Sequence, residues 1–474
     1  MRTYNKLYIN GQWADVSGQG FIEVVNPATE AVVVKAPSGD AVDVDKAVIA
    51  ARRAFHSWSN TSAEVRAGFL TALANRMAER KQEFAKIMTE EMGIPVSLVY
   101  DLHIDGPIAA TAGFAKRAKI MDEEKQVNNS IIVKEAAGVC AFINPWNYPL
   151  HQMMGKVAPA LAAGCTIIAK AASQTPGHAF LLAEICDEIG LPAGVFNVVH
   201  GSGRIIGEAL AVHPEVDVIS FTGSTDAGIR VAELAAKTVK RVTQELGGKS
   251  PHIITEQANL AEAIPYGVKN VMMNTGQTCT ALTRMFVAES KYEEAIAIAK
   301  EVAESLVVGE PTKANTFIGP MSSQAQKEVV LTYIDKGLAE GARIVTGGVA
   351  MPEGLEQGAY VRPTIFADVN NQMVIAQEEI FGPVLCMIPF KDEAEAIGLA
   401  NDSEFGLSSG VWVADGDMEH GKRLVRQIRA GLCYINGGAF NYDAPFGGFK
   451  QSGNGREWGD ESMHEFIEIK SIQM

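Results

Sequence analysis

The chain has 474 residues, 47% of them apolar, more than one ordinary hydrophobic core organises, so two or three soluble domains are expected. Its 41 Lys and Arg against 56 Asp and Glu leave a formal charge of −15, which argues against a nucleic-acid partner and disfavours an anionic membrane surface. The six cysteines, Cys140, Cys165, Cys186, Cys279, Cys386 and Cys433, form no CxxC pair, so no metal site and no disulfide framework is expected and a reducing cytoplasm fits best.

The N-terminus, MRTYNKLYINGQW, has no apolar targeting core, and the longest mostly apolar run, Val157 to Ala169, is too short to cross a bilayer. Residues 1 to 34 read as short strands separated by turn signals, and Val42 to Lys86 as helices with apolar residues at 3.6 spacing. From Lys119 to Glu135 the chain turns charged and then strand-like, which suits a hairpin arm at an interface.

From Gly138 the pattern becomes short apolar strands alternating with helices: GVCAFINPWNYP, GCTIIAK, GVFNVVHG and VDVISFTG. That alternation predicts a parallel sheet in a doubly wound α/β domain, whose ligands sit at the carboxyl ends of the strands. Asn147, Lys170, Gly201, Gly223 and Ser224 fall at such ends, so a dinucleotide site is a fair hypothesis. In FTGSTDAG, Ser224 or Thr225 reads as a helix N-cap whose free N–H groups suit a pyrophosphate, although the same stretch also reads as a simple capped turn. GSGRIIG at Gly201 and GNGREWG at Gly453 miss the dinucleotide spacing and read as loops.

Glu245 follows the strand-like RVTQ and precedes two glycines, a place for a partly buried carboxylate or a solvated one. A second α/β region runs from Pro251 to Ala430. Within it NTGQTCTALTR sets Cys279 among small and polar residues with no acidic neighbour in sequence. Backbone N–H groups and a nearby cation would draw such a thiol toward thiolate, whereas apolar burial would leave it a small hydrophobe. The tail carries a glycine-rich segment and then HEFIEIKSIQM, a terminal strand suited to pairing with another subunit.

Taken together, PWN at 145 to 147, FTGSTDAG at 221 to 228, ELGGKSP at 245 to 251, GQTC at 276 to 279, EEIFGPV at 378 to 384 and PFGGFKQSGNGRE at 445 to 457 resemble the aldehyde dehydrogenase superfamily, in family order over nearly the whole chain. The resemblance implies two doubly wound parallel-sheet domains and a small β oligomerisation arm. Residues 1–117 and 137–247 would form the cofactor domain, 248–461 the catalytic domain, and 118–136 with 462–474 the arm of a homodimer or homotetramer.

Chemistry assigns roles within that frame. A Cys279 thiolate would add to an aldehyde carbon, and the Asn147 amide with the Cys279 backbone N–H would hold the resulting oxyanion. Hydride would pass to a nicotinamide, leaving a thioester, and Glu245 would activate the hydrolytic water. By resemblance Lys156 and Glu457 would relay the proton. By resemblance too, Lys170 would bind the adenosine ribose, Ser224 the pyrophosphate, Trp146 the neighbouring backbone path, and Glu379 the nicotinamide ribose with Phe381 beside the ring. Ile143, Asn144, Pro145, Gly223, Leu246 and Gly247 complete the expected cofactor set. Where many relatives place a glutamate on the adenosine ribose, this chain has Ser173, so either NAD or NADP is expected as cofactor.

By resemblance, Tyr148, Gln152, Met273, Thr278, Thr280 and Phe446 should line the substrate tunnel. No arginine falls among them, which favours an uncharged aliphatic or aromatic aldehyde over a carboxylate-bearing semialdehyde. A thiol hydrolase would need a histidine base, and none of the nine histidines lies in a motif tied to Cys279. A CoA-acylating relative would lack Glu245, and a non-catalytic one would have no use for Cys279, Glu245 and Asn147 together.

Overall fold

The apolar runs after Gly138 become the strands Val139–Ile143, Thr166–Lys170, Phe196–Val199, Val218–Thr222 and Arg241–Glu245 in the computed structural model, which describes residues 1–474. Helices cover both faces of this sheet, so the strands are buried on both sides and read as continuous rather than alternating apolar runs. They lie parallel in the order Arg241–Glu245, Val218–Thr222, Val139–Ile143, Thr166–Lys170, Phe196–Val199. The chain builds outward from Val139–Ile143 in one direction and then returns to build on its other side. A crevice therefore opens between the carboxyl ends of Val139–Ile143 and Val218–Thr222.

Antiparallel strands close both edges. Lys6–Ile9 and Gln12–Asp15 extend one side, and Gly453–Asn454 pairs with Arg241–Glu245 on the other. The glycine-rich segment at 453 is thus not simply a loop. Gly453 passes so near the Gln244 carbonyl that a Cβ there would lie 2.0 Å from its oxygen. The segment at 201 also differs from a loop: Ser202 accepts from the Ile205 N–H at 3.2 Å and starts a helical turn, Gly203–Gly207.

The helices foreseen before residue 86 are Ala41–Ser59, Ala63–Glu79 and Lys81–Met92, the first opened by a capping box in which Asp40 and Asp43 satisfy each other's backbone N–H. With the first sheet they share a core of 77 buried residues. A second sheet, again mostly parallel, runs Arg343–Thr346, Thr364–Ala367, Val384–Phe390, Arg284–Ala288, Pro251–Ile254, Ser408–Trp412, Leu432–Ile435. Side chains alternate across it: Ile253, Phe286 and Cys386 enter one core, and Ile254, Met285 and Leu385 the other, as the two-residue period of a strand requires.

The arm is a three-stranded antiparallel sheet of Lys125–Val127, Ser130–Ala136 and Ile467–Gln473. The terminal strand pairs along its length on one edge with Ser130–Ala136 of its own chain. Its outer edge still leaves Ile469 and Ile472 exposed. No helix is long and apolar enough to cross a membrane.

Candidate active site

The crevice at the sheet's switch point is lined from several separate stretches: Pro145 to Asn147 after one strand, Thr222 to Ser224 after its neighbour, Glu245 to Gly247 at the end of a third, Cys279, and Glu379 to Phe381. Its cavity volume is about 280 Å³. Asn147, Glu245 and Cys279, far apart in sequence, meet here because two sheets present their loops to one space.

Cys279 is carried by a strained loop. Asn274 and Thr275, at φ 53° and 57°, both occupy the left-handed region after the helix Leu260–Met272, a conformation that needs support from its surroundings. Support comes from side-chain amides. The Asn274 Nδ2 donates to the carbonyls of Asn147 at 3.0 Å and Gln277 at 3.1 Å, and Asn147 Nδ2 donates to the Gln277 carbonyl at 3.1 Å. Gln277 in turn donates to the Asn274 carbonyl and accepts from the Ser322 N–H at 2.8 Å. Sequence reasoning missed Asn274 and Gln277, although both stand in the stretch that drew attention to Cys279.

Burial pushes the Cys279 thiol up, and Glu379, Glu245 and Glu457, brought close by the fold, push it further; its own backbone N–H opposes them. The acid-free surroundings read from neighbouring residues therefore do not hold in space. A thiol held this way is protonated at rest and must lose its proton to react.

Glu245 ends the strand Arg241–Glu245, is 5% exposed, and neither carboxylate oxygen accepts a hydrogen bond. Burial raises its carboxyl well above the ordinary range, Glu457 adds to the rise, and Lys156 and Arg456 work against it. It also borders a small internal cavity lined by Lys156, Arg456, Glu457 and Glu465. There the wholly buried Lys156 donates to Glu457 at 2.5 Å, to the Thr222 hydroxyl at 2.7 Å and to the Gln152 carbonyl at 3.2 Å. Glu457 keeps one oxygen without a partner, so carboxylates continue inward from Glu245.

The other end of the crevice suits an extended anionic group. Ser224 stands at the N-cap of Thr225–Ala235 without bonding back, leaving the first-turn N–H groups uncapped, and the buried Thr225 hydroxyl has no partner. Glu379 lies against the Gly247–Gly248 backbone. It accepts from the Gly248 N–H at 3.0 Å, and a Cβ on Gly247 would fall 2.2 Å from its other oxygen. Burial pushes the Glu379 carboxyl up to about 7 against the pull of that N–H and of Lys249. Phe381, at φ 56°, meets the Trp146 ring edge-on at 5.4 Å, and Gln326 donates to its carbonyl at 3.1 Å. Gln326, Val329 and Tyr333 of the helix Gln324–Ala339 complete this wall. Nothing in that ordinary amphipathic helix distinguished them in the sequence.

Some expected cofactor residues stand back from the crevice. Ile143 and Asn144 are buried at the sheet end, where the Asn144 N–H donates to the Lys170 carbonyl at 3.0 Å. Lys170 donates to the Ala171 carbonyl at 2.9 Å, and burial brings its ammonium down to about 8. The half-buried Ser173 hydroxyl donates to the Gly201 carbonyl at 3.0 Å.

Of the expected tunnel residues, Gln152 borders the crevice. Tyr148 and Thr278 share a hydrogen bond of 2.9 Å on another side of Cys279. Met273 and Thr280 are half-buried, and Phe446 is buried, exchanging backbone hydrogen bonds with Glu457. His103 and His151, which no motif tied to Cys279, pack on the Tyr148 ring.

A model described as the aldehyde dehydrogenase family matches residues 13–472. Among curated proteins, a Pseudomonas 3-succinoylsemialdehyde-pyridine dehydrogenase is 48% identical, over 100% of this chain and 99% of its own. Among solved structures, a cysteine-to-alanine variant of aldehyde dehydrogenase C from Pseudomonas syringae, complexed with NAD+ and octanal, is 44% identical with a TM-score of 0.95, covering 99% of this chain and 96% of that one. A Mycobacterium tuberculosis aldehyde dehydrogenase complexed with NAD+ is also 44% identical, with a TM-score of 0.96 and 100% and 98% coverage.

Proposed function

The chain belongs to the aldehyde dehydrogenase family, and on that premise we propose that it oxidises an uncharged aldehyde to the free carboxylic acid through a covalent Cys279 intermediate. One observation carries the reading: a thiol and a carboxylate with two unpartnered oxygens, Cys279 and Glu245, border one crevice at a switch point.

In this reading the Cys279 sulfur adds to the aldehyde carbon and its proton passes to water in the crevice. The new oxyanion accepts from the Cys279 backbone N–H and from an Asn147 amide already oriented by the Gln277 carbonyl. A bound nicotinamide dinucleotide supplies the hydride acceptor. The chain's own part is to hold it: the uncapped N-terminus after Ser224 for the pyrophosphate, Glu379 for a ribose, and Trp146 with Phe381 for the ring end. Glu245 then takes a proton from the water that hydrolyses the thioester. Its carboxyl, raised by burial, holds a proton more readily than an exposed one, and the inward run through Glu457 and Lys156 suits passing that proton on.

NAD is the cofactor named for two of the similar structures, and Ser173 leads us to extend acceptance to NADP. The exposed edge of Ile467–Gln473 supports assembly into a dimer or tetramer, which light scattering tests; a clean monomer would remove that reading. A semialdehyde without a carboxylate is a second substrate reading, favoured by the 48% identical relative named for a pyridine-bearing one. The deciding assay is aldehyde-dependent reduction of NAD, with acid and no thiol ester released. A thiol hydrolase would leave the cofactor oxidised.

A further inference from the structure

Beyond the crevice, a cluster of rings packs beside the loop that carries Cys279. The Tyr148 hydroxyl shares a 2.9 Å hydrogen bond with Thr278, the residue before the nucleophile. Its ring stacks on His103 at 4.5 Å and 11°, and meets His151 edge-on at 6.0 Å. His151 packs in turn on Trp458 at 5.0 Å, Tyr442 at 5.4 Å and Phe440 at 5.9 Å. His103 and Trp458 are fully buried, but Tyr148, His151, Phe440 and Tyr442 are only half-buried and keep ring surface outside the core.

The polar groups of this cluster are neutral. Burial and then Lys156 bring His151 down to about 3, so its ring carries one hydrogen at ordinary pH. The Tyr442 hydroxyl, pushed up to about 12, sits 3.1 Å from His151 Nδ1. It fits there because Gly106 has no side chain; a Cβ would fall 2.2 Å from that oxygen. With Tyr442 donating to Nδ1, the ring hydrogen lies on Nε2 and is available to another acceptor. Nearby cations are already engaged, Lys156 by Glu457 and Arg117 by Asp443 and Asp460. A carboxylate entering here finds no counter-charge, whereas a flat neutral ring finds stacking partners.

We propose that His151 is a specificity-determining residue that selects uncharged aromatic aldehydes carrying a hydrogen-bond acceptor, with Tyr148 stacking on the substrate ring and His151 Nε2 donating to the acceptor. The proposal rests on Cys279 as nucleophile and adds the substrate class.

The test compares kcat/KM for para-acetylbenzaldehyde with that for para-isopropylbenzaldehyde, equal in shape but lacking the acceptor, and with hexanal. In wild type both aryl aldehydes should exceed hexanal. His151→Leu should lower the acetyl-to-isopropyl ratio about tenfold, mainly through KM, while isopropyl turnover stays within about threefold, the size of one hydrogen bond. His151→Asn, which keeps a donor, should retain part of the ratio. Tyr442→Phe, which frees the tautomer without emptying the space, should lower it in the same direction and decides the matter if the leucine variant does not fold. An unchanged ratio in both His151→Leu and Tyr442→Phe, or a wild-type preference for hexanal, overturns this proposal alone. Failure to oxidise any of the aldehydes overturns the Cys279 reading with it.

Discussion

The side-chain amide of Asn147 donates to the carbonyl oxygen of Gln277 at 3.1 Å, two residues before Cys279. That bond uses one of the two amide hydrogens and fixes the plane of the group, leaving the second to meet an oxyanion formed at Cys279. Asn147→Ala should therefore lower kcat about a hundredfold or more, the usual cost of one such donor, while nicotinamide cofactor binding by fluorescence titration stays near wild type. A fall of less than about threefold would remove Asn147 from the oxyanion site.

Glu245 supplies a prediction about stability. Burial, and then Glu457, raise its carboxyl above the ordinary value in the folded chain. Stability associated with such a group is complete below the unfolded pKa of about 4.3 and is lost as pH rises through the higher folded value. Glu245→Gln, neutral throughout, escapes that loss. Its Tm should exceed that of wild type from neutral pH upward, and the gap should close below about pH 4. A variant less stable than wild type at about pH 8 would contradict this account of the buried carboxylate.

How much of this was legible beforehand differs by element. Strands such as Val139–Ile143 and Val218–Thr222 were readable because both faces are buried, so they read as mostly apolar runs until the chain leaves the sheet. Cys279, Glu245 and Asn147 were found by motif, and parallel-sheet topology accounts for their meeting. The electrostatics of the thiol were not readable. Its acidic neighbours, Glu245, Glu379 and Glu457, come from three distant stretches, and no local window contains them. The pairing of the terminal strand with Ser130–Ala136 was not readable for a similar reason: the in-register edge lies more than 300 residues away, and no sequence pattern specifies it. His103 and His151 went unnoticed because a buried histidine on a helix looks like any core residue until its ring neighbours are known.

A prediction on cofactor choice rests on Ser173, whose hydroxyl donates to the Gly201 carbonyl at 3.0 Å. A glutamate here would stand against the 2′-phosphate of NADP, and two like charges about 4 Å apart at an effective dielectric near 20 cost roughly 4 kcal/mol. Wild type should thus use NADP at least comparably with NAD, and Ser173→Glu should shift kcat/KM toward NAD by about a hundredfold or more. A wild-type enzyme that strongly prefers NAD, with the ratio unmoved in the variant, would show that Ser173 does not set the choice.

The most direct test of the central claim is intact and peptide mass spectrometry of Glu245→Gln after mixing with cofactor and an aldehyde that wild type oxidises. Hydride transfer precedes the step that needs the base, so the variant should give a burst of reduced cofactor equal to the sites present. It should then accumulate the acyl mass on the peptide containing Cys279, with none in Cys279→Ala. A burst of reduced cofactor with no acyl group on Cys279, or oxidation that continues in Cys279→Ala, would contradict the covalent route through this thiol.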